Sequence, residues 1–248
     1  MGWRSRALNR LLPPRYSMAV RSRIGFSREF ELRGVSRLVA PGDVVLDIGA
    51  NVGSYTYRFA KQVGPTGRVV CFEPQPELAA YLRAACRGRR LAPVEIHNVG
   101  LSDHAGEGWL SVPVEGRHRV GGLASLEPRT DQDGFEVSLR RLDDFDLGDR
   151  VSFVKCDVEG HELAVLRGGR ATLERYRPTL QIEIEYKHVG ERILDTFAFM
   201  DELGYRPHFL DLRAAVQPVP TEVLGHADRL NHPTDERYVG NFLFLPSG

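Results

Sequence analysis

This sequence has few lysines, no long apolar run and no net charge. The last two of these features argue against particular classes of protein. Only three of the 248 residues are Lys, against 30 Arg, and the formal net charge is zero. A balanced charge gives no reason to expect nucleic acid as a partner. No stretch approaches the ~18 consecutive apolar residues of a membrane-spanning helix, and we find no secretory signal.

Cysteine is equally rare. Cys71, Cys86 and Cys156 are an odd number and lack the C-x-x-C spacing of metal and redox sites. Cys71 and Cys156 lie in apolar segments, where a free cysteine behaves as a small hydrophobic side chain. A reducing, cytoplasmic location is therefore the simplest expectation.

The length suits one α/β domain with a short extension, since such domains run to ~200–250 residues. We assign residues 1–40 to an Arg-rich N-terminal extension and residues 41–248 to the domain. Residues 1–28 carry seven Arg and no Asp or Glu. Two interpretations stay open: an arm that contacts anionic lipid or a phosphorylated substrate, or a chain that simply uses Arg as its usual basic residue.

From residue 41 onward, strand-like and helix-like segments alternate. Apolar runs such as VVLDIGA (44–50) and RVVCFEP (68–74) are typical of strands buried on both faces. A segment with helical character follows each of them, for example residues 76–86 with Pro76 at the start. The alternation predicts an α/β fold with a mostly parallel, seven-stranded sheet and helices on both faces. Ligands of such sheets bind beyond the carboxyl ends of the strands.

The alternation is interrupted between residues 104 and 142. Segments 106–116 and 134–142 have strand character, and a Gly-rich stretch that includes Gly121 and Gly122 joins them. We therefore expect a β-rich insertion here. Alternation resumes at residue 151, and the helix predicted over 161–176 should bend at Gly168 and Gly169.

Polar residues follow three of the predicted strands: 47–53, Glu73 and 157–162. Glycines in the first group let the backbone turn sharply and approach a ligand. Glu73 lies 20 residues beyond Gly53, where a carboxylate is suited to accept both hydroxyls of an adenosine ribose. The dinucleotide pattern G-x-G-x-x-G fails, because Asn51 and Ser54 stand where glycines are required. An adenosine ligand without a pyrophosphate is indicated, and S-adenosylmethionine fits that description.

Six blocks of the sequence occur in a recognisable order: VVLDIGANVGSYT, FEPQPE, NVGLSD, RLDDF, FVKCDVEGHELAVLRGG and RPTLQIEIE. Together, over residues 41–205, they resemble the FkbM family of S-adenosylmethionine-dependent methyltransferases. The resemblance implies the class I methyltransferase fold, which is Rossmann-like, and methylation of a hydroxyl oxygen, often on a sugar or a polyketide. The implied partner is a small-molecule or glycan acceptor.

The resemblance also implies roles by position. Residues of the first loop would line the methionine end of the cofactor, Glu73 would hold the ribose, and Ser102 with Asp103 would lie near the adenine. The candidate cofactor-binding residues are Asp47, Gly49, Asn51, Gly53, Glu73, Ser102, Asp103 and Asp157.

Methyl transfer to an alcohol needs a proton acceptor or a metal ion, because an alcohol does not ionise unaided near neutral pH. His161 is the preferred general base, since imidazole is the side chain that exchanges protons near that pH. Asp157 and Glu159 are the other catalytic candidates. Alternatively, Asp157 with Glu183 or Glu185 forms a candidate Mg²⁺ site, since alternate residues share one face of a strand.

Structural interpretations of the same residues stay open. Carboxylates near a helix N-terminus stabilise it through the helix dipole, and His161 would then be a capping partner. Ser125, in the Gly-rich loop, and His188, after the fifth strand, are weaker candidates for contact with the acceptor. Two other functions also stay open: a nicotinamide-dependent oxidoreductase on the same sheet, and a non-catalytic module that binds S-adenosylmethionine.

Overall fold

The computed structural model of the chain describes residues 13, 16, 18, 29–87, 91–115, 118–119, 123–127, 133–234 and 238–247. In these residues the strands are β1 (Val44–Ile48), β2 (Arg68–Phe72), β3 (Val94–His97), β4 (Gly100–Leu101), β5 (Gly106–Val112), β6 (Val114–Glu115), β7 (His118–Arg119), β8 (Asp133–Arg140), β9 (Phe153–Cys156), β10 (Thr179–Glu183), β11 (Tyr205–Leu210), β12 (Val216–Pro218) and β13 (Asn241–Pro246). The α-helices are α1 (Glu29–Ser36), α2 (Ser54–Val63), α3 (Pro76–Cys86), α4 (Glu162–Arg167), α5 (Arg170–Tyr176), α6 (Tyr186–Val189), α7 (Ile193–Glu202) and α8 (Ala227–Leu230). Short 3₁₀ helices cover Leu142–Asp144, Gly190–Arg192 and Thr221–Val223.

The central sheet has the strand order β12-β11-β13-β10-β9-β1-β2-β3. Neighbouring strands from β3 to β10 are parallel, whereas β13 is antiparallel to both β10 and β11. The predicted α/β fold with a mostly parallel sheet is confirmed. The seven expected strands are joined by an eighth, the short edge strand β12, which pairs antiparallel with β11.

Each face of the sheet packs against its own layer of helices. Side chains such as Leu46, Val154 and Ile182 belong to the core cluster that includes residues of α4, α5 and α7. Val45 and Phe153 point the other way, into the cluster that includes residues of α1, α2 and α3. This alternation along each strand follows from the two-residue period of side chains, and it explains why the strand sequences are apolar throughout.

The packed body begins before the domain boundary that we drew at residue 41. Val35 in α1 and Val39 after it are 1% and 2% exposed, and both belong to the core cluster beneath α2. Met18 is fully buried in the same cluster. Residues 29–39 therefore contribute to the same core as the domain.

The predicted β-rich insertion forms a second sheet of three strands, in the order β4-β8-β5. Strands β5 and β8 pair antiparallel over seven residue pairs, from Gly106↔Leu139 to Val112↔Asp133. Leu110, Val137 and Leu139 form its small apolar core, which also contacts Leu126. The insertion thus lies next to the strand end at β4, and one of its faces turns toward the candidate site.

The long helix predicted over 161–176 is divided into α4 and α5 at Gly168 and Gly169. A Cβ on Gly168 would lie 2.0 Å from the backbone oxygen of Ser102. Only glycine permits so close an approach between two backbones. The helix breaks at this point because the chain after β4 packs directly against it.

Asp143, in the LDD motif, stabilises the second of these helices. Its carboxylate accepts hydrogen bonds from the backbone N–H groups of Ala171 (3.1 Å) and Thr172 (2.8 Å) and from the Thr172 hydroxyl (2.7 Å). It therefore caps α5 from a distant part of the chain. We expect Asp143→Ala to lower the free energy of unfolding by about 1–2 kcal/mol, as other lost helix caps do, measured by urea denaturation. Asp146→Ala, three residues away and exposed at the surface, is the matched control and should change stability by less than about 0.5 kcal/mol.

Candidate functional site

A cleft opens at the carboxyl ends of β1, β2 and β9. Its lining combines apolar side chains, which include Phe72 and Leu101, with polar ones, which include Glu73 and Asp157. The lining residues are Ile48, Gly49, Asn51, Phe72, Glu73, Pro74, Gln75, Val99, Gly100, Leu101, Leu110, Ala124, Leu126, Asp157, Val158 and Glu159. Five predicted site residues are therefore brought together here: Gly49, Asn51, Glu73, Asp157 and Glu159.

The loop after β1 forms the floor of the cleft. Gly49 has φ +75°, and a Cβ there would lie 1.9 Å from the backbone oxygen of Asp157. This glycine therefore lets the loops after β1 and β9 meet beneath the ligand position. Asn51 also has a positive φ of 50°, which asparagine tolerates better than most residues.

Glu73 follows directly after β2 and connects the loop after β1 with the loop after β2. Its carboxylate accepts the N–H of Asn51 at 2.8 Å and the N–H of Gln75 at 2.9 Å. Burial raises the pKa of Glu73 to about 7, and the two N–H groups oppose that rise. Glu73 is 2% exposed, so the cleft holds a nearly dry carboxylate at its rim.

Asp47 Oδ1 and Asn51 Oδ1 are among the buried side-chain oxygens that have no hydrogen-bond partner in the described part of the chain. Asn51 lines the cleft, so a ligand with N–H or O–H groups would satisfy its amide oxygen. Asp47 lies one layer below the cleft, where its Oδ2 accepts the hydroxyl of Thr56 at 2.6 Å. Burial raises the pKa of Asp47, with the ammonium of Lys155 opposing the rise.

Lys155 lies in the middle of β9, among these carboxylates. Its Nζ is 2.8 Å from Asp157 Oδ2 and 4.7 Å from the ring centre of Tyr55. Burial opposes the charge of Lys155, but the carboxylates of Asp157 and Asp47 outweigh it and raise the pKa of the ammonium. Lys155 thus holds the Asp157 carboxylate from beneath the cleft.

Three carboxylates meet at the cleft. One oxygen each of Asp157, Glu159 and Glu183 lies within 4.8 Å of the other two. The Mg²⁺ prediction named Glu185 as an alternative to Glu183, and this part is corrected: Glu185 is outside the group, and its carboxylate pairs with Lys187. Glu185 lies beyond the end of β10 at Glu183 and immediately before α6, where Lys187 and His188 are close to its carboxylate.

Glu162 fixes the turn that presents these groups. Its Oε1 accepts the N–H of Val158 at 3.0 Å and that of Gly160 at 3.1 Å. Between them, Glu159 has φ +56°, a strained conformation for this residue type. Burial raises the pKa of Glu162 to about 7. Glu162 is therefore an anchor of the turn and does not line the cleft.

Both ring nitrogens of His161 are engaged by neighbours. Nδ1 lies 2.9 Å from Glu127 Oε1, and Nε2 lies 3.0 Å from the hydroxyl of Ser102. The side chain of His161 makes no capping hydrogen bond to α4, and it does not line the cleft. This environment differs from the one expected of a general base.

His188 lies closer to the carboxylates. Its Nε2 is 3.6 Å from Glu159 Oε2, and its Nδ1 is 3.8 Å from Glu185 Oε2. The turn at Gly160 brings α6 here, since a Cβ on Gly160 would lie 3.5 Å from the Cβ of His188. The pair Glu159–His188 joins the cleft to the surface of α6.

Other predicted residues lie outside the cleft walls. Gly53 packs beneath Leu82 and Met18. Ser102 is fully buried, and Asp103 pairs with His104 at 2.7 Å. The hydroxyl of Ser125 donates to the backbone oxygen of Glu159 at 2.7 Å. Gly121 and Gly122, predicted to flank the acceptor, are outside the described residues.

Neither Lys155 nor the apolar side chains of the insertion were predicted to contribute to the site. Lys155 carried a signal, because it is one of only three Lys in the chain and interrupts the otherwise apolar run of β9. Leu110, Ala124 and Leu126 carried none, since ordinary apolar residues in a β-rich segment do not reveal which cavity they line.

A family model of the methyltransferase FkbM domain matches residues 47–207. The chain belongs to the FkbM methyltransferase family. The resemblance drawn from the six sequence blocks is thereby confirmed, and the membership assigns the chain to the S-adenosylmethionine-dependent methyltransferases. The nicotinamide-dependent alternative is set aside. No curated protein matches the chain.

The fold is similar to that of one solved FkbM methyltransferase. A methyltransferase FkbM from Methylobacillus flagellatus KT is 20% identical with a TM-score of 0.50, over 82% of this chain and 43% of that one. This chain therefore spans less than half the length of that protein. A TehB-like S-adenosylmethionine-dependent methyltransferase from Corynebacterium glutamicum ATCC 13032 is 10% identical with a TM-score of 0.49, over 92% and 94% of the two chains.

Fibrillarin from Aeropyrum pernix, in complex with natively bound S-adenosyl-L-methionine, is 13% identical with a TM-score of 0.45, over 83% of this chain and 66% of that one. We draw nothing further from the two lower scores. Within the described part of this FkbM chain, no helix has both the length and the apolar character needed to cross a membrane.

Proposed function

We propose that this FkbM chain is an O-methyltransferase that methylates a hydroxyl of a sugar, a glycan or a polyketide-type secondary metabolite. The observation that carries the proposal is Glu159, a carboxylate that lines the cleft with His188 Nε2 3.6 Å from its Oε2. A hydroxyl acceptor needs such a group, because it must lose its proton as the new bond forms.

The cleft residues fit the cofactor. The nearly dry carboxylate of Glu73 would accept the hydroxyls of the ribose, as acidic residues at this strand end do in related nucleotide sites. The amide oxygen of Asn51 has no hydrogen-bond donor among the described residues. It would accept a hydrogen bond from the amino group at the methionine end of the cofactor. The apolar lining residues, with Phe72 and Leu101 among them, suit the flat face of an adenine ring.

The chemistry asked of the protein is modest. S-adenosylmethionine supplies a methyl group on a sulfonium centre, which is a good leaving group. Glu159 would accept the hydroxyl proton at its carboxylate. His188 would orient that carboxylate and stabilise its negative charge. The carboxylates of Asp157 and Glu183 would accept further hydroxyl groups and so orient the acceptor. This arrangement favours the Glu159–His188 pair over His161 as the proton acceptor.

Mg²⁺ does not enter the proposal. The carboxylates of Asp157, Glu159 and Glu183 are close enough to share an ion, but such groups are common without one. Lys155 already supplies a positive charge 2.8 Å from Asp157 Oδ2. The Mg²⁺ site stays a prediction of the sequence.

The test is the replacement of Glu159 by Gln and of His188 by Gln. We expect each change to lower kcat by about 10²–10⁴-fold, the usual contribution of a general base, with the affinity for S-adenosylhomocysteine unchanged within about twofold. Transfer of a labelled methyl group to a panel of sugars and hydroxylated metabolites measures turnover, and mass spectrometry locates the methyl group. Glu174→Gln, an exposed carboxylate on α5, is the matched control.

A methyl group found on nitrogen or carbon would contradict the O-methyl proposal. Undiminished turnover in both variants would remove the Glu159–His188 pair from the mechanism. Tight cofactor binding with no product from the unmodified protein on any acceptor would support the alternative of a non-catalytic module.

The cytoplasmic location and the contact of the Arg-rich N-terminal segment with anionic lipid both stay predictions. Cys71, Cys86 and Cys156 are free thiols, which is compatible with the proposed cytoplasmic location. Contact of the Arg-rich segment with anionic lipid stays a prediction, because residues 1–28 are outside the described part of the chain except for Pro13, Tyr16 and Met18.

A further inference from the structure

Residues 123–127, which we call the wall segment, line the cleft although they belong to the insertion. Ala124 and Leu126 face the cleft directly. Ser125 forms an isolated antiparallel bridge with Ser111 of β5, through N–H to O hydrogen bonds of 2.8 and 3.0 Å. The position of the wall segment therefore sets the width of the cleft where Ala124 and Leu126 line it.

The wall segment is tied to the turn after β9 by two side chains. The hydroxyl of Ser125 donates to the backbone oxygen of Glu159 at 2.7 Å. Glu127 Oε1 lies 2.9 Å from His161 Nδ1. Glu127 Oε2 also accepts two hydrogen bonds of 3.3 Å from the guanidinium of Arg192. Both carboxylate oxygens of Glu127 are thus used to hold the segment in place.

His161 extends this connection to the other side of the cleft. A carboxylate only accepts hydrogen bonds, so Nδ1 of His161 carries the proton that it donates to Glu127. Nε2 lies 3.0 Å from the hydroxyl of Ser102, which follows Leu101, a lining residue. The side chains of Ser102, His161, Glu127 and Arg192 form one continuous hydrogen-bonded chain.

Neither His161 nor Ser102 is among the residues that line the cleft, and Ser102 is fully buried. A bound acceptor therefore does not meet either side chain directly. If the Ser102 hydroxyl donates to Nε2, the lone pair of that nitrogen is occupied. If the hydroxyl donates instead to Asp103 Oδ1, which lies 3.3 Å away, then Nε2 must itself carry a proton to bond Ser102. In both arrangements His161 connects two walls of the cleft.

We propose that His161 is a positioning residue, which latches the wall segment across the cofactor cleft through Glu127 and thereby sets the affinity for the cofactor. Without this latch, the wall segment keeps the hydrogen bonds of Ser125 and the packing of Leu126 in the small core of the insertion. Neither of these contacts joins the segment to His161. The inference depends on the cleft being the cofactor site, and it is independent of the acceptor and of the atom that is methylated.

The experiment uses S-adenosylhomocysteine as a probe, because its binding requires no turnover. We expect His161→Ala and Glu127→Ala each to raise its Kd by about tenfold, measured by isothermal titration calorimetry. The double variant should lose clearly less affinity than the sum of the two single losses in free energy, since both changes remove the shared His161–Glu127 hydrogen bond. Hydrogen–deuterium exchange should become faster at residues 123–127 in all three variants.

Conservative and distant changes supply the controls. Glu127→Gln keeps an acceptor for the Nδ1 proton, so it should retain the affinity within about twofold. His208→Ala, at a half-buried position on β11, and Glu174→Ala, at an exposed position on α5, both lie outside the cleft lining and should alter neither Kd nor exchange. If His161→Ala does not fold, Glu127→Ala gives the same test from a side chain nearer the surface.

An unchanged Kd in both single variants would overturn the latch. So would additive losses in the double variant, because two independent contributions are then at work. Loss of turnover with unchanged Kd and unchanged exchange in His161→Ala would return His161 to the role of general base. The O-methyl proposal fails on different evidence, namely the position of the methyl group in the product.

Discussion

Replacement of Lys155 by Met is expected to destabilise this FkbM chain by about 3 kcal/mol, because breaking a buried ion pair leaves its carboxylates without a counter-charge. The Lys155 side chain is 3% exposed, and Asp157, its partner at 2.8 Å, is 28% exposed. We take the lower end of the usual range since water still reaches Asp157. Equilibrium unfolding in urea measures the change.

A second substitution separates the charge effect from lost packing. Lys155→Met combined with Asp157→Asn removes the unpaired charge, so about half of the lost stability should return. Lys61→Met, an exposed lysine on α2, is the matched control and should stay within about 0.5 kcal/mol. A Lys155→Met variant as stable as the unmodified chain would show that the ion pair contributes nothing.

Replacement of Glu73 by Ala is expected to raise the Kd for S-adenosylmethionine by about 100-fold. A carboxylate that accepts two ribose hydroxyls contributes hydrogen bonds to a charged group, each worth about 1.5–3 kcal/mol, and ~1.4 kcal/mol corresponds to a tenfold change in Kd. The change also leaves the N–H groups of Asn51 and Gln75 without their acceptor. Calorimetric titration measures the effect, and Glu77→Ala, an exposed carboxylate on α3, is the control.

The raised pKa of Glu73 adds a dependence on pH. The ribose hydroxyls donate to the ionised carboxylate, and Glu73 is half protonated near pH 7. Affinity should therefore rise by up to about tenfold per pH unit as the pH approaches 7 from below, and then level off. Glu73→Gln should bind weakly with no such dependence. An unchanged Kd in Glu73→Ala would reject this residue as the ribose ligand.

The contribution of Glu73 to folding has the opposite sign. Its pKa is raised in the folded chain from 4.5 to about 7, so the folded state holds the proton more tightly than the unfolded state does. The stability that it contributes is fully present below about pH 4.5 and is lost as the pH rises through about 7. Cofactor binding therefore favours the ionised form of Glu73, whereas burial of Glu73 on folding favours its protonated form.

The order of elements was predictable because each local signal agreed with the global fold. The apolar runs at β1, β2 and β9 needed no tertiary context, since strands buried on both faces carry few polar residues. Boundaries were less predictable where the backbone changed direction. For example, β10 ends at Glu183 and α6 begins at Tyr186, a change of direction that no residue of this segment indicates.

The predicted polar residues of the site differ in what their side chains face. Gly49, Asn51, Glu73, Asp157 and Glu159 line one cleft, as expected of residues that follow parallel strands. His161 stands two positions after Glu159, yet its ring turns toward Ser102 and Glu127. No spacing rule distinguishes these outcomes, because they depend on side-chain partners that come from distant parts of the chain.

The sequence by itself determined the family, the sheet and the strand ends where the cofactor cleft forms, since these follow from apolar periodicity and from motifs within short segments. Only the tertiary structure decided which of those residues touch the cleft. Lys155 beneath Asp157, the insertion as a wall, and His161 as a link between two walls all arise from contacts over long sequence separations. Such contacts are fixed by packing and by the pairing of buried charges, which a local pattern does not record.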